Sequence, residues 1–382
     1  MIRDIYTEDH EAFRQTVRQF VGKEIVPHIP EWEAAGLVPR ELFRKSAEIG
    51  INGLQIPEEF GGGGVDSFRF NAIVLEENGY AAATLGGLQV HLCTVLPYFL
   101  EFADENQKAR WLPGFADGSL VSSIAMTEPG TGSDLAGITT TAVRDGDSYI
   151  LNGAKTFITG GINADLVVVV ARTSDGRGNR RQGLSLLVVE SGMPGFSRGR
   201  NLDKMGLKAQ DTAELLFDDV RVPAANLLGT EGEAFTMLTA NLPQERLTIA
   251  VTAQATAMAA LQMAMDYVKE RKVFGQRVAD FQNTKFVLAD CATELEAGQA
   301  LVDRAITALD AGTLTAADAA KAKLFCTEMQ SRVIDRCLQL HGGYGYMREY
   351  PISRLYTDAR VSRIFGGTSE VMKSVVSKSL DL

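Results

Sequence analysis

The sequence predicts an α+β molecule in three parts: an all-α N-terminal domain over residues 1–118, a β-domain over 119–228 and a C-terminal antiparallel four-helix bundle over 229–382. Three observations predict it. Apolar residues recur at three- and four-residue steps up to about Gly118, the period then shortens to β-rich runs parted by turn dipeptides, and helical spacing returns from Ala234. With 382 residues and 45% hydrophobic content, the chain can bury a core large enough for several packed units.

In the first part Phe13, Val17, Phe20 and Val21 make one apolar stripe, and Pro57, Gly61 to Gly64 and Pro97 divide the helices. The glycine run has no lysine and follows no strand, so it reads as an interhelical loop and not as a phosphate cradle. In the middle part the strand runs are Tyr149–Leu151, Leu166–Val170, Leu184–Val189 and Leu215–Phe217, with Asp145-Gly146 and Asp175-Gly176 as turns. The basic run Arg177 to Arg181 lies between two strands and reads as a solvated loop. In the last part Val302, Ile306 and Leu309, then Val333, Cys337 and Leu340, mark two helices; Gly312 ends the first and Thr315 opens the next. The order is not the βαβ alternation of a nicotinamide dehydrogenase, and no G-x-G-x-x-G follows a strand.

A formal net charge of −10 and a pI near 5.1 argue against nucleic acid, whose phosphates call for a basic surface. No apolar run approaches the roughly 20 residues of a membrane span, and the acidic start MIRDIYTEDHEAF does not read as a signal or transit peptide. The expectation is a bacterial-type cytoplasmic protein or a matured chain of an organellar matrix. Cys93, Cys291, Cys326 and Cys337 lack C-x-x-C spacing, and His10, His28, His91 and His341 lack ligand spacing, so neither a disulfide framework nor a metal centre is predicted.

Five blocks carry candidate chemistry. Ala125 to Asp134, AMTEPGTGSD, follows an apolar strand and is a rigid turn able to aim backbone N–H groups and hydroxyls at an electron-rich ligand. Phe157 to Thr159, within KTFITGG, sets an aromatic beside a hydroxyl; the minor alternative is a core phenylalanine ending a strand. Asn241 to Ala250, NLPQERLTIA, puts Glu245 and Arg246 near the start of an apolar helix, Leu247 to Ala257, where a charge pair capping the helix is the plainest account. Arg271 to Gln282, RKVFGQRVADFQ, is a basic and aromatic stretch at a helix end. Gln339 to Lys373 pairs two glycine clusters with a helix opening at Thr368, Ser369 and Glu370, whose free N–H groups suit an anion; His341 inside it reads as well as a packing residue as a chemical one.

In this order and spacing the blocks resemble the acyl-CoA dehydrogenase family over nearly the whole chain. Most of that family keeps its base, a glutamate, at the position of Gly366; the LPQER segment with Glu245 is similar to the long-chain and isovaleryl branches, which carry the base there. The resemblance implies an FAD flavoprotein with the acyl-CoA dehydrogenase fold that converts an acyl-CoA to its trans-2-enoyl-CoA in fatty acid β-oxidation. Glu245 is then the base, and the Gly366 N–H helps stabilise charge on the thioester oxygen. Ile124, Ala125, Met126, Thr127 and Ser133 are implied to line the cofactor, as are Phe157, which covers one flavin face, with Ile158, and Thr159, which donates to flavin N5. Arg271, Phe274 and Gln282 are implied to reach a neighbouring subunit's FAD, joined by Gln339, Leu340, His341, Gly342 and Gly343 at its adenine end and by Thr368, Ser369 and Glu370. Ser133, Leu242, Glu245, Arg246 and Gly367 are implied to meet the substrate. Phe157 stands where the family often has tryptophan, and Gly160-Gly161 where Asn-Gly is commoner. An electron-transfer flavoprotein as acceptor and a homotetramer built as a dimer of dimers complete the expectation. Two alternatives stay open here: an acyl-CoA oxidase or flavin monooxygenase on the same fold, and a non-enzymatic acyl-CoA-binding homologue.

Overall fold

The computed structural model describes residues 3–382, apart from the side chain of Arg177. Seven α-helices come first: α1 (Glu8–Phe20), α2 (Ile29–Ala35), α3 (Glu41–Glu48), α4 (Phe68–Tyr80), α5 (Gly87–Val90), α6 (Leu96–Phe102) and α7 (Glu105–Ala116). The predicted stripe of α1 is on the inside, with Val17, Phe20 and Val21 buried against Ile73 and Val74 of α4. Charge also seats this helix. Arg14 donates to Glu76 at 2.8 Å and to Glu77 at 3.0 Å, both carboxylates being buried on α4, and Arg3 joins Glu76 to Asp303 in the C-terminal part. A reciprocal cap starts α7: the Gln107 N–H donates to Asp104 and the Asp104 N–H to Gln107. A π-helical turn over His91–Val95 joins α5 to α6.

The middle part is an eight-stranded sheet of β1 (Ser122–Ala125), β2 (Thr141–Asp145), β3 (Ser148–Thr159), β4 (Leu166–Arg172), β5 (Leu184–Glu190), β6 (Phe196–Asn201), β7 (Thr212–Pro223) and β8 (Leu227–Leu228). The strand order is β6-β7-β3-β2-β4-β5-β8, with β1 added parallel to β4. Leu166 to Ala171 and Leu184 to Val189 are buried on both faces, which is why β4 and β5 read as unbroken apolar runs and not as alternation. The Asp145-Gly146 turn joins β2 to β3 as the sequence predicts. The β3–β7 pairing slips between Lys155 and Ile158, a bulge that re-aims the end of β3.

Helices return with α8 (Ala234–Glu270), followed by the short hairpin strands β9 (Lys272–Val273) and β10 (Gln276–Arg277), then α9 (Gln282–Asp310), α10 (Ala316–His341), α11 (Pro351–Ala359) and α12 (Ser369–Lys378). Thr315 caps α10 by accepting from the Asp318 N–H. The predicted bundle has three long members, α8, α9 and α10, and its fourth side is shared by the short helices α11 and α12, because the segment between them turns at Gly366 and Gly367. Small residues Ala250, Ala253, Ala257, Ala260 and Ala264 line the buried stripe of α8 and let its neighbours approach closely. By length and composition α8 could cross a bilayer, with a window of mean hydropathy 1.3, but 61% of that window is buried among α4, α9 and α10. It is the core helix of the bundle.

Candidate active site

Glu245 does not sit at a helix start. The helix begins eleven residues earlier at Ala234 and runs through Pro243, so the sequence-level account of a capping charge pair at the N-terminus does not hold. A carboxylate in the middle of a buried helix gains nothing from a helix end and loses its water. Glu245 is only 8% exposed, and burial pushes its carboxyl up to about 7, against the smaller opposing effects of a hydrogen bond from Tyr98 and the charge of Arg246. Tyr98 on α6 donates its hydroxyl to Glu245 Oε1 at 2.9 Å. Arg246 is also buried and its Nε has no partner among the described residues. Leu242, one turn earlier on the same helix, is half-buried.

Gly366 lies over this face. A Cβ placed on it would come within 2.4 Å of Ile249 Cδ1, and Ile249 is one turn beyond Glu245 on α8. The backbone there has φ +62° at Gly366 and φ +97° at Gly367, conformations that side-chain-bearing residues rarely adopt. A side chain at 366 would have to displace the tip of Ile249 and hold a left-handed backbone. The glycine pair is pinned from below by Lys323 of α10, whose Nζ donates to the Gly367 carbonyl at 2.6 Å. Lys323 is 1% exposed, and burial lowers its ammonium to about 8. Thr368 caps α12 by accepting from the Val371 N–H, and Ser369 gives its hydroxyl to Glu328 at 2.7 Å. Glu370 is exposed at the helix start, away from the buried setting of Glu245.

The two mid-chain blocks meet at the end of the sheet. The Thr156 N–H donates to the Thr127 carbonyl, Lys155 Nζ donates to the Met126 carbonyl at 2.9 Å, and Ser123 Oγ donates to the Thr159 carbonyl. Beneath them Lys155 pairs with Glu128 at 3.0 Å with both side chains buried, and Glu128 also accepts from the N–H groups of Thr139 and Thr140. The Ala125–Asp134 turn is thus braced by a buried ion pair. Phe157 is 68% exposed with φ +60° at the β3 bulge, so the alternative of a core residue does not hold. An apolar ring held out of the core at the cost of left-handed backbone is what a planar aromatic ligand needs to stack on, so the residues present fit a flavin. Beside it Thr159 Oγ1 accepts from Gln210, and Asp211 holds the Gly160-Gly161 turn through the Gly160 and Ile162 N–H groups. Ala125 and Ile158 point into the sheet core, which leaves only their backbone to face a ligand, whereas Ile124, Met126 and Thr127 are half-buried and Ser133 is exposed.

A second concavity, of about 470 Å³, forms at the far end of the bundle between Arg271, Tyr267 and the Gln339 to Gly343 segment, including Leu340 and Gly342. Arg271 is exposed and lies over the Tyr344 ring at 5.6 Å. His341 is a packing residue: it is buried, stacks on Tyr267 at 4.5 Å and bonds through Nδ1 to the Cys337 carbonyl. Phe274 and Gln282 do not line this cavity. Phe274 stands 96% exposed at the tip of the β9–β10 hairpin, and Gln282 is exposed at the start of α9.

Sequence reasoning missed Tyr98, Lys323 and the Glu128–Lys155 pair. Only Tyr98 carried a readable signal, since a tyrosine on an otherwise apolar helix face, as in LPYFLEF, must find a buried partner. Family models for the N-terminal, middle and C-terminal domains of acyl-CoA dehydrogenase match residues 7–119, 123–220 and 232–380. The chain is 45% identical over 379 residues to the mitochondrial long-chain specific acyl-CoA dehydrogenase of Sus scrofa, spanning 99% of this chain and 88% of that protein. The crystal structure of an acyl-CoA dehydrogenase from Geobacillus kaustophilus superposes with a TM-score of 0.98 at 46% identity, over 100% of both chains. A glutaryl-CoA dehydrogenase from Mycobacterium smegmatis, solved in complex with FADH2, gives a TM-score of 0.90 at 28% identity over 98% of this chain and 95% of that one. With a buried carboxyl under a glycine turn, a strained exposed ring on a braced sheet edge and matches along its whole length, the chain belongs to the acyl-CoA dehydrogenase family.

Proposed function

We propose that the protein is an FAD-dependent acyl-CoA dehydrogenase that turns a saturated acyl-CoA into the trans-2-enoyl-CoA, with Glu245 as the base. The observation that carries this is the buried mid-helix carboxyl of Glu245, raised to about 7, on the helix face beneath the Gly366 turn. A general base works best with a pKa near the operating pH, and this one is tuned there by burial. Glu245 takes the α-proton of the thioester as the C–H bond breaks. The Gly366 N–H donates to the thioester oxygen, where charge develops, and Lys323 keeps that turn in place. Bound FAD supplies the acceptor for the β-hydrogen, which leaves as hydride. Phe157 would stack on its ring system, and the Thr127 and Thr159 segments would hold its edge.

The three parts 1–118, 119–228 and 229–382 divide this work: α6 meets the base, the sheet edge holds the flavin and the bundle carries the base and the thioester turn. Electrons pass on to an electron-transfer flavoprotein, and the assembly is a homotetramer in which the Arg271 cavity receives a neighbour's cofactor. The relatives reported are dehydrogenases, which favours that acceptor over the oxygen of an oxidase or monooxygenase. Work in a bacterial-type cytoplasm or an organellar matrix suits this role. Glu245→Gln keeps the shape but cannot take a proton, so anaerobic flavin reduction by acyl-CoA falls about 10²-fold or more while substrate and FAD still bind. Near-normal reduction by this variant overturns the assignment of the base.

A further inference from the structure

A phenol sealed in an apolar helix must be given a partner, and its choice of partner is informative. Tyr98 belongs to LPYFLEF in α6, just after Pro97, and is completely buried among Leu96, Phe99 and the α8 residues Met237 and Leu238. Its ring packs against Phe102, with centroids 6.1 Å apart. The π-helical turn just before α6 sets the phase with which this helix meets α8. Among the described residues the Tyr98 hydroxyl makes one hydrogen bond, to the carboxyl of Glu245, 147 positions away in the chain.

We propose that Tyr98 is a positioning residue for the base: its hydroxyl holds Oε1 of Glu245, so that Oε2 is the oxygen presented to the substrate's α-carbon. This rests on the reading of Glu245 as the base. Oε2 accepts no hydrogen bond from the described residues, and Glu245 retains 8% exposure, so one oxygen is anchored and the other is left for chemistry. Two-atom acids with both oxygens free sample both orientations, and a base that must meet one C–H bond loses rate to that freedom. The hydroxyl also favours the ionised form and opposes the burial that raises this carboxyl, which keeps the base usable near neutral pH. Other groups around the pair are few. Arg246 sits on the same helix with Lys323 of α10 behind it, Glu101 shares α6 with Tyr98, and Cys93 of the π-helical turn is a neutral thiol. Burial and the neighbouring carboxylate push the Tyr98 phenol well up, so it stays a donor throughout the working range.

The test is Tyr98→Phe, which deletes one oxygen from a packed ring. Flavin content and acyl-CoA affinity stay at wild-type values, flavin reduction slows about tenfold, and the pH midpoint of that rate moves up by roughly one unit. Infrared titration of the carboxyl C=O stretch, without substrate, reads the same midpoint directly, with Glu245→Gln identifying the band. If Tyr98→Phe does not fold, 3,5-difluorotyrosine at position 98 keeps the shape, strengthens the donor and moves the midpoint down. An unchanged rate and midpoint in a folded variant, with Glu245→Gln still inactive, overturns the positioning role. Normal reduction by Glu245→Gln instead removes the base reading on which it stands.

Discussion

At the scale of single residues, the site trades stability for chemistry. Glu245 has a folded-state pKa of about 7, above the ordinary carboxyl value of 4.5, so the folded protein binds more protons than the unfolded chain between those values. Stability contributed by this group therefore falls as pH rises from about 4.5 to 7 and stays lost above it. Glu245→Gln is expected to be more stable than wild type at pH 8, by up to about 3 kcal/mol, with the gain vanishing near pH 4; thermal melts at both pH values measure it. Lys323 is the second such residue. Lys323→Met removes a buried cation that burial already disfavours, so melting temperature holds or rises, but the Gly366-Gly367 turn loses its only side-chain anchor among the described residues. The expected result is faster hydrogen exchange at 365–368 together with about tenfold slower flavin reduction. Glu245 was readable in the sequence because the carboxylate missing at 366 pointed to it. Lys323 was not, because its charge is hidden among alanines and its partner is a backbone carbonyl.

At the scale of elements, the sequence told helix from strand well and element ends poorly. The runs at Leu166 and Leu184 were legible because strands buried on both faces read as unbroken apolar stretches, while β2 and β6, with exposed or half-buried residues over most of their length, gave no such signal. The return of helix from Ala234 was legible, but the local account of Glu245 near the start of a helix at Leu247 was not sound, because α8 runs on through Pro243. The alternative of a strand-end core phenylalanine at Phe157 could not be set aside from local sequence, since nothing local encodes a bulge that depends on pairing with β7. What fixes that edge is the Glu128–Lys155 pair. Hydrogen bonds from Thr139 and Thr140 and the charge of Lys155 outweigh burial and hold Glu128 down at about 2, whereas burial outweighs the pairing for Lys155, which falls to about 8. Glu128→Gln leaves the ammonium buried without its counter-charge, at a cost of roughly 3 kcal/mol, and loosens the Met126 and Thr127 turn. A lower melting temperature with reduced FAD content by absorbance is expected; full flavin retention would place the pair outside the cofactor's support.

At the scale of the whole molecule, the single chain leaves one half of a binding arrangement open. The Arg271 cavity at the end of the bundle lies apart from the Phe157 edge of the sheet, and Arg271 has no carboxylate partner among the described residues. Around it Phe274, Tyr344 and Tyr346 expose large aromatic surfaces, at 96%, 44% and 86%. A cationic fork framed by aromatic rings and by the glycines of Gln339 to Gly343 suits a phosphate and an adenine, and an unpaired, solvated arginine is free to take a second copy's ligand. The homotetramer proposed above would be a state in which these surfaces are covered and each flavin is held by two chains. Arg271→Ala removes a two-pronged phosphate contact while leaving the core untouched, so melting of the flavin-free protein stays near wild type. FAD occupancy falls on dilution below micromolar protein, and sedimentation of the diluted variant shifts toward smaller species as flavin is lost. If the variant keeps full flavin and wild-type size at submicromolar concentration, Arg271 does not serve a neighbour's cofactor. In that case the cavity's aromatic rim needs another occupant.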